Sequence, residues 1–256
     1  MSIPHFSKII FRQAEKYQDR NVFFTRNDAN KTWNPITWNQ FADQVAKATR
    51  SLITLNTKRG DRIGIYTQNM AESFYVDFAN FGVGAISVPM FATSSVSQIA
   101  YIINDAGIET LFVGEQTQYD NALKAADNCP GLERIIVFDP NVNLHNNGLA
   151  FYYKDFIDLG SARHDKEIAE RQAQASPDDI AIIMYTSGTT GEPKGVILNH
   201  SNFLEAMRIH DLALPTFSEN DRSIAFLPLS HIFERAWCYY CLYRGAVIYI
   251  NLRPQE

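Results

Sequence analysis

Several things are scarce in this chain of 256 residues, and each scarcity excludes something. Only 3 cysteines occur, an odd and low number. That excludes a disulfide framework and fits a reducing compartment. The 13 glycines follow no repeat, and there is no low-complexity tract, so collagen-like and solenoid architectures are excluded. No apolar run approaches the roughly 18 residues that a membrane-spanning helix needs. Basic excess is absent too: 23 Lys and Arg stand against 28 Asp and Glu, a net charge of -5. A nucleic-acid binder would normally carry a basic face. The N-terminus is broken by Lys8, Arg12 and Gln13 and has no small-residue cleavage site, so it does not read as a signal peptide. The expected location is the cytoplasm, with a peripheral position on the inner face of the membrane as the alternative.

What remains is globular in composition, with 46% hydrophobic and 20% charged residues. The length fits one large domain or two ordinary ones, enough to bury roughly three quarters of the unfolded surface. Strand-like and helix-like segments alternate. Thr37 and Gln40 form a capping-box pair, and Phe41, Val45, Ala48 and Leu52 then recur at helical spacing. Residues 62–66, 85–88, 110–113 and 134–138 read as strands, the second stopped by Pro89. Residues 72–81, 97–105 and 122–127 read as helices between them, with Gly82 and Gly84 ending the first. Residues 141–148 read as a surface loop, 154–159 as a short helix and 166–174 as a charged, solvent-facing one. Continuous apolar strands alternating with helices predict an α/β fold of parallel sheet covered by helices.

The chemistry concentrates after residue 179. Residues 180–185 are an apolar run suited to a buried strand. Thr186, Ser187, Gly188, Thr189, Thr190 and Gly191 follow, then Pro193, Lys194 and Gly195, and a second strand over 196–198. Such a loop packs many backbone N–H groups and hydroxyls into a small space, and glycine lets the backbone curl around an anion. Lys194 adds a mobile positive charge. The physical reading is a phosphate cradle. It is not the common nucleotide loop: Gly195 stands where that loop needs a Ser or Thr, and the segment leads into a strand rather than a helix. The dinucleotide fingerprint G-x-G-x-x-G is absent as well.

The stretch YTSGTTGEPKG over 185–195 resembles the phosphate-loop signature of the AMP-forming adenylating enzymes. FLPLSHIFER over 226–235 resembles the next core motif in the form typical of long-chain fatty acid–CoA ligases, and residues 87–105 resemble their N-terminal subdomain. The resemblance implies layered parallel sheets of an adenylate-forming fold. Residues 1–256 would be the N-terminal portion of an AMP-binding domain, without the adenine, ribose and Mg²⁺ motifs or the small C-terminal domain. It implies ATP, Mg²⁺ and coenzyme A as cofactor and cosubstrates and a fatty acid as substrate. The residues at 186–191 would hold the β- and γ-phosphates, and Lys194 would neutralise the departing pyrophosphate. His231 would orient the substrate carboxylate or stabilise developing charge. Thr186 would help place Mg²⁺, although a lone hydroxyl is a weak ligand, so no metal residue is assigned.

Other residues near the motifs have plainer readings. Ser230 is a candidate cap for the helix that follows it. Glu234 and Arg235, adjacent on that helix, do not face one another, and a solvated or interdomain role is as well supported as a catalytic one. Cys238 and Cys241 lack a second ligand pair, so core packing is expected of them, and Cys129 likewise reads as a free thiol. Two further functional readings stand beside the fatty acid–CoA ligase. One is a non-catalytic module that binds nucleotide or acyl chains, and the other is an adenylating enzyme for a different carboxylic acid. The segment LPLSHIFER, residues 227–235, favours the fatty acid.

Overall fold

A computed structural model describes residues 5–27, 30–186 and 192–252. A 3-10 turn at Phe6–Lys8 and α1 (Ile9–Tyr17) precede the antiparallel strands β1 (Asn21–Asn27) and β2 (Thr32–Thr37), then α2 (Trp38–Thr54). An alternating series follows: β3 (Arg62–Tyr66), α3 (Ala71–Val83), β4 (Ile86–Met90), α4 (Val96–Ala106), β5 (Thr110–Val113), α5 (Gln116–Ala126) and β6 (Arg134–Val137). Next come β7 (Ala150–Tyr152), α6 (Tyr153–Asp158), α7 (Asp165–Ala173), β8 (Ile180–Thr186) and β9 (Lys194–Asn199). The last elements are α8 (His200–Ala213), β10 (Arg222–Ala225), α9 (Ile232–Arg244) and β11 (Val247–Ile250).

These strands form two sheets, one of seven in the order β7-β6-β5-β3-β4-β8-β9 and one of four in the order β10-β11-β1-β2. The expected parallel sheet is present, but both sheets are mixed. β9 runs antiparallel to β8, and β2 antiparallel to β1. A second difference concerns Pro89, expected to stop a strand but lying within β4, opposite Ile65 of β3. On the other side, β4 pairs with β8 only at Ser87. The ladder has ended there before Pro89, so the missing N–H costs no hydrogen bond.

Alternate residues of the central strands sort into two cores. Phe112 and Ile136 join α2, α3 and α9 in the larger one, while Leu111, Val113, Ile135 and Val137 face α4 and α5 in the other. Both sheet faces are therefore buried, which is why the strands read as continuous apolar runs. Among the ends of these elements, Gly84 closes α3 at φ 77°, a left-handed conformation that a Cβ would strain. Thr37 and Gln40 do form the capping box of α2.

One polar contact sits inside the larger core's rim. His5 and His200 are both buried, with ring centroids 3.9 Å apart. His5 Nδ1 contacts Ser7 Oγ, whereas His5 Nε2 and His200 Nδ1 have no hydrogen-bond partner among the described residues. Burial, then the His5 ring and Arg59, push His200 down to about 3. The folded protein thus refuses a proton that the unfolded chain accepts near 6.5. Stability is full above that pH and falls as pH drops below it, by up to about 1.4 kcal/mol per pH unit for this group. A His200→Gln variant should flatten the acid limb between pH 6.5 and 5, measured by urea denaturation at a series of pH values.

Candidate functional site

The strands β8 and β9 place the two ends of the Ser/Thr/Gly-rich segment side by side. Thr186 is the last residue of β8 and pairs with Lys194, the first of β9. The segment therefore joins two strands, as its sequence implied, while Ser187, Gly188, Thr189, Thr190 and Gly191 themselves lie outside the described residues. Lys194 and Gly195 belong to the strand rather than to the loop. Gly195 sits opposite Tyr185, where an added Cβ would come within 2.9 Å of Ile183 and 3.3 Å of the Tyr185 ring. That glycine serves strand packing. The Tyr185 hydroxyl in turn donates to the Asp105 carboxylate on α4.

Beside Thr186 opens a cleft of about 440 Å³. It lies at the carboxyl ends of the neighbouring strands β4 and β8, the end of the sheet where ligands commonly sit in open α/β folds. Phe91 and Ser94 from the segment after β4 form one wall, Tyr185 and Thr186 another, and Ser230 and His231 a third. Thr186 and His231 are thus brought together from different sheets. Lys194 is exposed on the neighbouring strand and is not part of this lining.

His231 is exposed at the N-terminus of α9. Its own Nδ1 accepts the backbone N–H of Phe233 at 3.3 Å. The cap is therefore His231 and not Ser230, because the imidazole reaches the second helical residue. A neutral ring that accepts at Nδ1 carries its proton on Nε2, which leaves an N–H donor available to an oxyanion. The positive end of the α9 dipole favours an anion at the same place.

The helix start is held by groups that are not solvated. Glu234 and Arg235 are each 2% exposed, which corrects the expectation of a solvated or interdomain role. Arg235 forms a buried ion pair with Asp77 of α3, and its Nε donates to the Leu229 carbonyl at 2.7 Å. Tyr239 donates to the same Asp77 carboxylate at 2.8 Å. From the segment after β3, Asn69 donates to the carbonyls of Ala225 and Leu227 and accepts the Leu229 N–H. Asn69 and Asp77 were not singled out from the sequence. Asp77 left a trace as a carboxylate amid the apolar middle of α3, between Val76 and Phe78, whereas Asn69 left none, its partners being about 156 to 160 residues away. Cys238 and Cys241 are buried in α9, and burial raises both thiols.

A profile of the AMP-binding enzyme family matches residues 10–255. The chain belongs to that family. It is 29% identical over 208 residues to the long-chain-fatty-acid–CoA ligase FadD15 of Mycobacterium tuberculosis, covering 80% of this chain and 33% of that protein. It is 30% identical over 235 residues to the long-chain-fatty-acid–CoA ligase ACSBG2 of Rattus norvegicus, covering 91% of this chain and 34% of that one. The chain thus spans about one third of the length of these curated relatives. Its fold superposes on the anthranilate CoA ligase AuaEII in complex with anthranoyl-AMP with a TM-score of 0.84. That match has 22% identity and covers 97% of this chain and 45% of the other.

Two outcomes follow from the buried groups. Removing the Asp77 carboxylate strands a guanidinium in the core, so Asp77→Ala should lose about 3–5 kcal/mol in chemical denaturation. Burial pushes Glu234 up to about 7, against the pull of the Phe226 backbone N–H. The folded state then holds a proton that the unfolded chain releases near 4.5, so this group's contribution falls as pH rises through 7. Glu234→Gln should melt higher than the parent at pH 8 and converge with it below pH 5, read by thermal denaturation.

Proposed function

We propose that this chain is the N-terminal portion of the adenylation domain of an AMP-forming fatty acid–CoA ligase. Such an enzyme activates a fatty acid with ATP to acyl-AMP and passes the acyl group to coenzyme A. The observation that carries the reading is the cleft that sets Thr186, at the foot of the phosphate loop, against His231 at a helix N-terminus. A carboxylate is a poor acyl donor because oxide is a poor leaving group. Attack of its oxygen on the α-phosphorus of ATP releases pyrophosphate and leaves AMP as a good leaving group for a thiol. The charge in that step spreads over phosphoryl oxygens, so positioned donors do most of the work.

In this scheme the backbone N–H groups and hydroxyls of residues 186–191 grip the β- and γ-phosphates. Lys194 neutralises the departing pyrophosphate. His231 donates Nε2–H to the substrate carboxylate or to an α-phosphate oxygen, while its Nδ1 stays engaged in the α9 cap. The fatty acid is favoured by the segment 226–235 and by the functions of the relatives, and the apolar residues Phe91, Ile102, Met184 and Ile232 on the cleft suit an alkyl chain. Mg²⁺ is the usual companion of ATP. Among the described residues no group of three or more His, Cys, Asp or Glu side chains could hold a metal, and Thr186 alone does not make a site. No step is therefore assigned to a metal held by this chain. No helix among the described residues is long and apolar enough to cross a membrane. We place the protein in the cytoplasm, where its fatty-acid substrate would favour peripheral contact with a membrane surface.

The 256-residue chain alone should make no acyl-CoA from palmitate, ATP and coenzyme A, because phosphate contacts without base and sugar contacts lose the positioning the reaction needs. Joined to the missing motifs and C-terminal domain of a FadD15-like ligase, it should make palmitoyl-CoA. Lys194→Ala in the joined protein should slow pyrophosphate release by about ten- to a hundredfold. Comparable turnover by the short chain, or unchanged kinetics in the Lys194→Ala protein, would overturn the proposal.

A further inference from the structure

A second cleft, of about 570 Å³, opens between β2, α2, α3 and α6, and none of the candidate residues above lines it. Its walls include Ile36, Glu72, Tyr75, Phe138, Tyr152 and Tyr153. Glu72 lies in the first turn of α3, where an acidic side chain ordinarily complements the helix dipole. Its surroundings go beyond that need. Burial and the nearby Asp139 carboxylate push the Glu72 carboxyl up, opposed by its own backbone N–H. Lys154 and Asp158 also line the cleft.

Two phenols share this neighbourhood. Tyr75 and Tyr153 are both raised, first by burial and then by the Glu72 charge. Tyr153 is 8% exposed, and its hydroxyl has no hydrogen-bond partner among the described residues. A buried hydroxyl left unpartnered costs about 1–3 kcal/mol. The cleft thus combines an uncompensated carboxylate, an unsatisfied hydroxyl and aromatic walls. Phe138 and Tyr153 meet edge to face at 5.4 Å between centroids. A hard inorganic cation would want more oxygen ligands than this, and a quaternary ammonium could not donate to Tyr153.

We propose that this cleft binds a primary ammonium group carried on an apolar or aromatic body. The ammonium lies between the Glu72 carboxylate and the Tyr153 hydroxyl, and the body lies against Phe138 and Tyr152. Each half supplies what the other lacks: charge-assisted hydrogen bonds at one end, ring contact and apolar burial at the other. The site is independent of the proposed ligase chemistry, and its failure would leave that reading untouched.

The test is calorimetric titration of the 256-residue chain with 2-phenylethylamine. The controls are 2-phenylethanol, which keeps the body without the charge, and ethylamine, which keeps the charge without the ring. Saturable one-to-one binding is expected, with both controls weaker by about tenfold or more. Glu72→Gln should weaken the amine by about tenfold or more, Tyr153→Phe by about three- to tenfold, and Lys154→Gln should not weaken it. In the parent protein, affinity should rise as pH rises above the ordinary carboxylate range and Glu72 loses its proton, since the amine, like a lysine of pKa about 10.4, stays charged. That pH series and the Tyr153→Phe variant decide the matter if Glu72→Gln does not fold. Equal binding of 2-phenylethanol, a flat pH series, unchanged affinity in Glu72→Gln, or no saturation at millimolar amine would each overturn the proposal.

Discussion

The buried ion pair between Arg235 and Asp77 is the constraint on which the site's geometry rests. It ties α9, which packs with the four-stranded sheet, to α3, which lies in the core beside the seven-stranded sheet. Both partners are almost wholly buried, so neither can leave without stranding the other. Tyr239 adds a donor to Asp77, and Arg235 spends a further donor on the Leu229 carbonyl. Asn69 grips the same segment from the loop after β3. Together these bonds hold Ala225, Leu227 and Leu229 in the segment before α9, and with them the place where His231 meets the cleft.

That arrangement explains how one cavity can be built from two sheets. The β8–β9 pair comes from the edge of the larger sheet, while His231 comes from a helix between two strands of the smaller one. Rigid burial below the cleft leaves the reactive-looking groups at its rim. Thr186 and His231 are exposed, whereas Glu234 and Arg235, only a turn further along, are sealed. An open rim over a fixed floor suits the proposed ligase reading, in which a nucleotide and a chain-like acid would enter and have their reacting ends held in register.

The electrostatics follow the same division. Groups in the core are held in whichever form burial tolerates: His200 stays neutral, the thiols of Cys238 and Cys241 stay protonated, and Glu234 hesitates near neutrality. These are costs that folding carries in order to place polar groups in the interior. They make the stability of this chain depend on pH from both sides, with the histidine pair limiting it in acid and Glu234 in base.

Much of the fold was written locally. The capping box at Thr37 and Gln40, the glycine stop at Gly84 and the buried strand before Thr186 are all short-range patterns, and each appears where its residues indicate. The 185–195 segment likewise carries its hydroxyls, glycines and lysine in one stretch of chain, which is what the proposed phosphate cradle would need. The tertiary structure decided what depends on partners distant in sequence. Lys194 and Gly195 joined a strand because Thr186 and Tyr185 lay opposite them. Pro89 was admitted to a strand because its neighbour's ladder had already ended. Arg235 became a core residue because Asp77, 158 positions earlier, waited beneath it. A sequence pattern reports the preferences of neighbours a few residues apart; burial and pairing across the fold are set by which surfaces the packed sheets bring together.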